Sequence, residues 1–216
     1  MQARARSTSG SGAVEELLAN FDTRHALAVI GPDPFGPLEA RKVVLLQPAE
    51  FGRAAEAIVK SSDFGLAWRE ERGAQVGWET LDRQRANSEW RELWHARGFR
   101  SFVRVEIPLP AGRAFECFLF TETELRETGD AARLAWWIMG SWHDIRDEIE
   151  FSQSPLNERE QACLSLAFQG FTAGETAERL GIPERRVNST YQQAMEKLQA
   201  PNKVAAIQRA CWLGVI

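Results

Sequence analysis

The chain is poor in the residues that usually announce chemistry. Its 216 residues include three cysteines, three histidines and one tyrosine. Cys117, Cys163 and Cys211 are widely spaced, which excludes a disulfide framework and a zinc-ligand spacing. Each sits in an apolar pattern and is expected as a small core residue in a reducing cytoplasm. His25, His95 and His143 are far apart, with no Cys or carboxylate at metal spacing. No glycine-rich phosphate loop or nucleophile elbow is visible. Asp144, Asp147, Glu148 and Glu150 read as a solvated helix face. Catalysis, a metal and a cofactor are therefore not expected. No apolar run approaches the roughly 20 residues that cross a bilayer. Residues 1–12 are rich in Arg and Ser without an apolar centre, the pattern of a disordered tail and not of a signal peptide. A cytoplasmic protein that avoids membranes is expected.

Net charge is also small where it would be most informative. From Pro155 onward there are seven Lys/Arg and six Asp/Glu, so this end is nearly neutral. The same end carries the clearest punctuation. Asn157-Glu158-Arg159-Glu160 and Thr172-Ala173-Gly174-Glu175 both have the form of a capping box. Two such starts fifteen residues apart imply short helices joined by a tight turn. The first helix is expected from about Glu158 to Gln169, with Ala162, Cys163, Leu166 and Ala167 inward. The second, about Ala173 to Leu180, buries Thr176, Ala177 and Leu180 before Gly181 stops it. Pro183 suits the first turn of a third helix, about Glu184 to Gln199, burying Val187, Tyr191, Ala194, Met195 and Leu198. Its other face shows Arg185, Arg186, Asn188, Ser189, Gln192 and Gln193. Pro201 opens a fourth helix with Val204, Ile207 and Cys211 on one side.

This four-helix end resembles the GerE/LuxR-type helix-turn-helix of bacterial transcription regulators. Leu156, Arg159 and Glu160 match the opening of that pattern. Gly170, Thr172, Glu175 and Ala177 match its turn and second helix, and Leu180, Ile182 and Val187 its later apolar positions. Lys197-Leu198, Asn202-Lys203 and Ala210 match its close. Departures fall where DNA is touched. Pro183 and Arg186 replace the usual Ser and Thr, and Asn188 and Thr190 replace the usual basic residue and His. The resemblance implies base or phosphate contact from Arg186, Asn188, Ser189 and Gln192. It implies positioning contacts from Arg185, Gln193 and Lys197, and dimerisation through Val204, Ile207 and Cys211. Double-stranded DNA and a second copy of the chain are the implied partners.

Residues 13–151 read as a separate domain, followed by the helical head at 152–216. Helices are expected over Val14–His25, Pro48–Ser61, Arg83–Arg97 and Asp130–Phe151, the last carrying Leu134, Ala135, Ile138, Trp142, Ile145 and Ile149 on one face. Lys42–Gln47 reads as a strand and Gly31–Pro37 as a loop. Phe64–Glu70 with Gln75–Thr80, and Phe99–Leu109 with Arg113–Thr121, read as hairpins. The element order implies an α+β chain. Its N-terminal α/β/α sensory domain resembles the PAS/GAF-like domains in front of LuxR-type heads, and an all-α four-helix domain follows. Seven of the eight tryptophans lie in this front part. Phe64, Trp68, Trp78, Trp90, Trp94, Phe102 and Phe115, with Phe99 and Phe118, are candidates to line an apolar ligand cavity; filling a core is the competing use.

The family's acyl-homoserine lactone receptors carry an ordered Tyr, Trp, Tyr, Asp, Trp set. Here Phe64 and Trp68 keep the first spacing, Arg72 replaces the second Tyr, and Asp82 lies near the acid's place. A lactone amide left without its phenolic and carboxylate partners loses binding energy, so a more apolar ligand, or none, is expected. Clustered acids at the ends of parallel strands, which a phosphorylated receiver needs, are missing. The reading is a LuxR-type DNA-binding regulator governed by ligand or dimerisation in front, with possible use in quorum sensing. Its rivals are an antiactivator that pairs with another regulator without binding DNA, and a promoter contact like region four of a sigma factor.

Overall fold

The computed structural model describes residues 12–33, 35–36, 40–61, 63, 75–81, 88–109 and 113–216, with the backbone alone at 151–153. They fall into two compact units, Met1–Pro32 with Arg41–Ser152, and Asp33–Ala40 with Gln153–Ile216.

The first unit is built on an antiparallel sheet of five strands: β1 (His25–Pro32), β2 (Arg41–Gln47), β3 (Val76–Thr80), β4 (Ser101–Leu109) and β5 (Arg113–Thr121). Their spatial order is β2-β1-β5-β4-β3. β1 is buried along its whole length because helices cover both faces of the sheet. Helices α1 (Ala13–Ala19), α4 (Thr128–Gly140) and α5 (Trp142–Gln153) pack on one face, where Leu27, Val29, Val103, Val105, Cys117 and Leu119 meet Val14, Ile138, Ile145 and Ile149. Helices α2 (Gly52–Lys60), entered by a short 3-10 turn at Ala49–Phe51, and α3 (Glu89–Ala96) cover the other. There Ala26, Ala28, Phe102, Phe118 and Phe120 meet Ala54, Ile58, Trp90 and Trp94. The alternation along β1 explains its fit, since successive side chains point to opposite faces. Its Leu and Val fill the thinner aliphatic layer, and its two alanines leave room for rings on the aromatic side.

The expected α/β/α layering stands, with local corrections. The first helix stops at Ala19, and β1 begins at His25. Ala, Leu and His are compatible with helix by propensity, and the strand's small residues hide its alternation. Gly31 and Pro32, expected in a loop, close β1 opposite Lys42 and Arg41. β3 pairs with β4, Trp78 opposite Val103; the expected partner strand at 64–70 lies outside the described residues, as does the first part of the helix expected from Arg83. The long helix expected over 130–151 breaks at Ser141, after Gly140. Glycine is a poor helix interior residue, and the break lets Ile138 and Ile145 both reach the core.

Two consequences of the packing are measurable. A Cβ on Gly31 would stand 2.8 Å from Phe115 Cε1 and 2.9 Å from Val44 Cγ1. We expect Gly31→Ala to destabilise this domain by about 1–3 kcal/mol, read from urea unfolding followed by tryptophan fluorescence. His25 stacks on Phe21 at 3.9 Å and donates from Nδ1 to the Thr23 carbonyl at 2.7 Å. Burial pulls its imidazole below the ordinary value, opposed by the Thr23 hydrogen bond and by Glu122. A depressed folded-state value means that folding favours the neutral ring. This contribution is complete above the unfolded value and is lost as the pH falls below about 6.5. His25→Gln should flatten the acid side of the domain's stability profile.

Candidate nucleic-acid interface

The second unit holds α6 (Glu158–Phe168), α7 (Ala173–Leu180), α8 (Glu184–Lys197) and α9 (Lys203–Leu213). Both expected capping boxes form. Asn157 Oδ1 accepts from the Glu160 amide at 3.0 Å, and Glu160 Oε2 accepts from the Asn157 amide at 2.8 Å. Thr172 and Glu175 repeat the exchange, and the hydrogen bonds from Thr172 hold the Glu175 carboxyl below its usual range. Gly181 ends α7 with φ 64°, the left-handed conformation that costs glycine little. Pro183 stands at the N-cap of α8, one position before the expected first turn, and offers no side-chain cap. Asn202, not Pro201, caps α9, accepting from the Ala205 amide at 2.9 Å.

The buried face of α6 is Glu160, Cys163 and Leu164 with Ala167 beside them, while Ala162 and Leu166 are half-buried outside that cluster. The stripe is rotated from the expected one because Glu160, a charged residue, occupies an inward position. Its carboxylate is 2% exposed and accepts from Lys197 Nζ at 2.9 Å. One side chain thus closes the start of α6 and holds the end of α8. Val187, Thr190, Tyr191, Ala194 and Leu198 are the buried side of α8 and its C-cap, with Met195 half-buried. Thr190 donates to the Arg186 carbonyl at 2.8 Å, and Tyr191 OH lies 3.4 Å from Thr176 Oγ1.

This packing leaves Arg185, Arg186, Asn188, Ser189, Gln192 and Gln193 exposed along one side of α8. All six carry hydrogen-bond donors of the kind that read phosphates and base edges. Ser189 Oγ donates to the Arg186 carbonyl. Lys197, expected among the positioning contacts, is engaged by Glu160 instead. Residues of α6 and α8 also line a groove of about 400 Å³, Glu158 and Arg159 from α6 and Arg186, Ser189 and Gln193 from α8. Arg159 was not among the expected contacts, because its position in the capping box accounts for it locally. On α9, Val204 is 73% exposed, and Ile207 and Cys211 are half-buried.

The first unit separates the expected cavity residues. Trp90, Trp94 and Phe102 do gather with Phe99, Phe118 and Phe120. The Trp94 ring lies flat on Phe120 at 3.7 Å, and Trp90 meets Phe102 edge-on at 5.4 Å. Phe115 and Trp78 are on the opposite face, with Phe115 against Trp142; strand parity puts residues 115 and 118 on different sides. Phe64 and Trp68 lie outside the described residues. The aromatic face continues into a buried ion set that simple alternation did not reveal. Glu116, 3% exposed, accepts from Arg41 at 2.5 Å and from Arg104 at 2.9 Å, and Arg104 also pairs with Glu106. Burial pulls the Arg104 guanidinium below its ordinary value, and Glu116 opposes that shift.

A helix-turn-helix whose third helix presents an unbroken polar side defines the class. The family model for sigma-70, region 4, matches residues 154–200, which span α6 to α8. The transcriptional activator protein AnoR of Acinetobacter nosocomialis is 28% identical over 182 residues, covering 81% of this chain and 66% of AnoR. The chain thus spans slightly less than two thirds of that relative. Escherichia coli SdiA superposes over 98% of this chain and 93% of its own, with 20% identity and a TM-score of 0.50. A structure of SdiA in complex with octanoyl-rac-glycerol shares 23% identity over 95% of this chain and 88% of its own, with a TM-score of 0.48. The chain is thus similar in sequence to a transcriptional activator and in fold to SdiA, and its head matches a helix-turn-helix family model.

The double use of Glu160 sets a stability expectation for the head. Glu160→Ala removes one capping partner and the Lys197 anchor, and should destabilise the head by about 1–3 kcal/mol. Amide hydrogen exchange on the full chain would show faster exchange in α6 and α8, with protection in the sheet unchanged.

Proposed function

We propose that the chain binds duplex DNA as a homodimer and regulates transcription, with α8 of each head lying in the major groove. The observation that carries this reading is the continuous exposed side of α8. Val187, Thr190, Tyr191 and Ala194 turn one side wholly inward, so the two arginines and four polar residues opposite them have no packing role. The helix is held from beneath at both ends, by the turn at Gly181 and by the Glu160–Lys197 pair. That rigidity is what side-chain recognition of base edges requires. Arg186, Asn188, Ser189 and Gln192 are the proposed base or phosphate contacts, and Arg185 and Gln193 the positioning ones. Val204, Ile207 and Cys211 offer an apolar strip on α9 for pairing two heads, which sets the spacing of two half-sites about one helical turn apart.

The front domain supplies the control. The proposed ligand is small and mainly apolar, and it engages the face of Trp90, Trp94 and Phe102. Among the described residues the buried Trp94 Nε1–H finds no acceptor, so a ligand carbonyl or hydroxyl would complete it. The front domain has no tyrosine, which continues to disfavour an acyl-homoserine lactone. A ligand acts here only through unequal affinity for the arrangements of the dimer.

Retardation of a fragment from the chain's own upstream region at low ionic strength tests the reading. Arg186→Ala should weaken such binding by about 1–3 kcal/mol, with relaxed preference at one base position if it grips a base and about equally across sequences if it grips a phosphate, while the protein stays folded. Failure of the wild-type protein to retard any such fragment, with or without cell extract, would favour the partner-blocking alternative.

A further inference from the structure

The head has seven basic residues against six acidic ones, too small an excess to attract DNA by net charge. The structure shows how those seven are used. The Arg179 guanidinium lies 3.9 Å over the Phe171 ring, and Lys203 lies 5.1 Å over Tyr191. Lys197 is paired with Glu160. Arg209 donates to the carbonyls of Leu198 and Gln199. Four of the seven are therefore engaged inside the domain. Arg159, Arg185 and Arg186 are exposed, and their side chains have neither a hydrogen bond nor an ion pair among the described residues. Two of these three, Arg159 and Arg186, belong to different helices and line the same groove. Packing has sorted the charge: the engaged cations are intramolecular, and the uncommitted ones include a pair set on facing walls.

We propose that the groove between the start of α6 and the middle of α8 seats a backbone phosphate of the bound duplex, clamped between Arg159 and Arg186. A guanidinium on each wall meets the anionic oxygens from two sides, and Ser189 and Gln193 on the α8 wall add neutral donors. Glu160 lines the groove as well, but its charge is met by Lys197. Glu158, which also lines the groove, brings a carboxylate near the anion and works against it. Arg159 is thus a positioning residue: it fixes how deeply α8 enters the groove of the duplex and carries no sequence information itself. This inference rests on the DNA-binding reading above and adds to it a contact outside the recognition helix.

The test uses full-length protein and two duplexes, one from the upstream region and one of mixed sequence, titrated over a range of salt. Each phosphate neutralised contributes roughly 0.9 to the slope of log affinity against log salt concentration. Arg159→Gln leaves Arg186 alone on the shared phosphate and should lower that slope by at most about 0.9 per head and weaken both duplexes by the same factor, leaving their affinity ratio intact. Arg159→Lys should restore most of the slope, and Glu158→Gln should tighten binding to both duplexes. An unchanged slope in Arg159→Gln, with the wild type still binding, overturns the clamp and leaves the DNA-binding reading standing. So does a loss confined to the upstream duplex, which would make Arg159 a base contact. A wild type that binds neither duplex overturns both.

Discussion

The buried carboxylate of Glu160 is the constraint on which the head depends. It completes the cap that starts α6, and from the same position it draws the last turn of α8 inward through Lys197. A charge this far from water is stable only when its lone pairs are filled. Here the Asn157 amide and the Lys197 ammonium both donate to Oε2. The result is a helix pair tied at two separated points, with Val187, Tyr191 and Ala194 packed between. A helix held this way presents its outer side chains from a fixed axis.

Folding also distributes the cations of this nearly neutral domain unevenly between inner partners and the surface. Net charge is a property of the whole head, whereas phosphate recognition uses only the cations left uncommitted by folding. Arg179, Lys203 and Arg209 are spent on rings and carbonyls, where they support packing at α7 and α9. What remains is concentrated on α8 and the rim of α6.

The front domain follows a different logic, that of a sheet covered on both sides. Strand parity divides its side chains into an aliphatic layer beneath α1, α4 and α5, and an aromatic layer beneath α2 and α3. The aromatic layer ends at the ion set around Glu116. Rings stacked on one another and a carboxylate shared between two arginines both restrict movement within this layer.

Much of this was legible in the sequence, and the reason is local. The capping boxes at Asn157 and Thr172, the stop at Gly181 and the inward spacing of Val187, Tyr191 and Ala194 depend on residues within a few positions of one another. They determined the helix-turn-helix and the outward side of α8. The β4–β5 hairpin was readable for the same reason. The tertiary structure alone decided what depends on distant partners. β1 is a strand because β2 and β5 hydrogen-bond to it and helices bury both its faces, and its own residues hide that fact. Phe115 and Phe118 part company because pleating sends them to opposite layers. Lys197 finds its partner in a carboxylate 37 residues earlier, and Arg159 and Arg186 line one groove only because α6 packs on α8. Spacing along the chain carries short-range geometry, whereas the allocation of a charge to an inner or an outer partner is settled only when the helices meet.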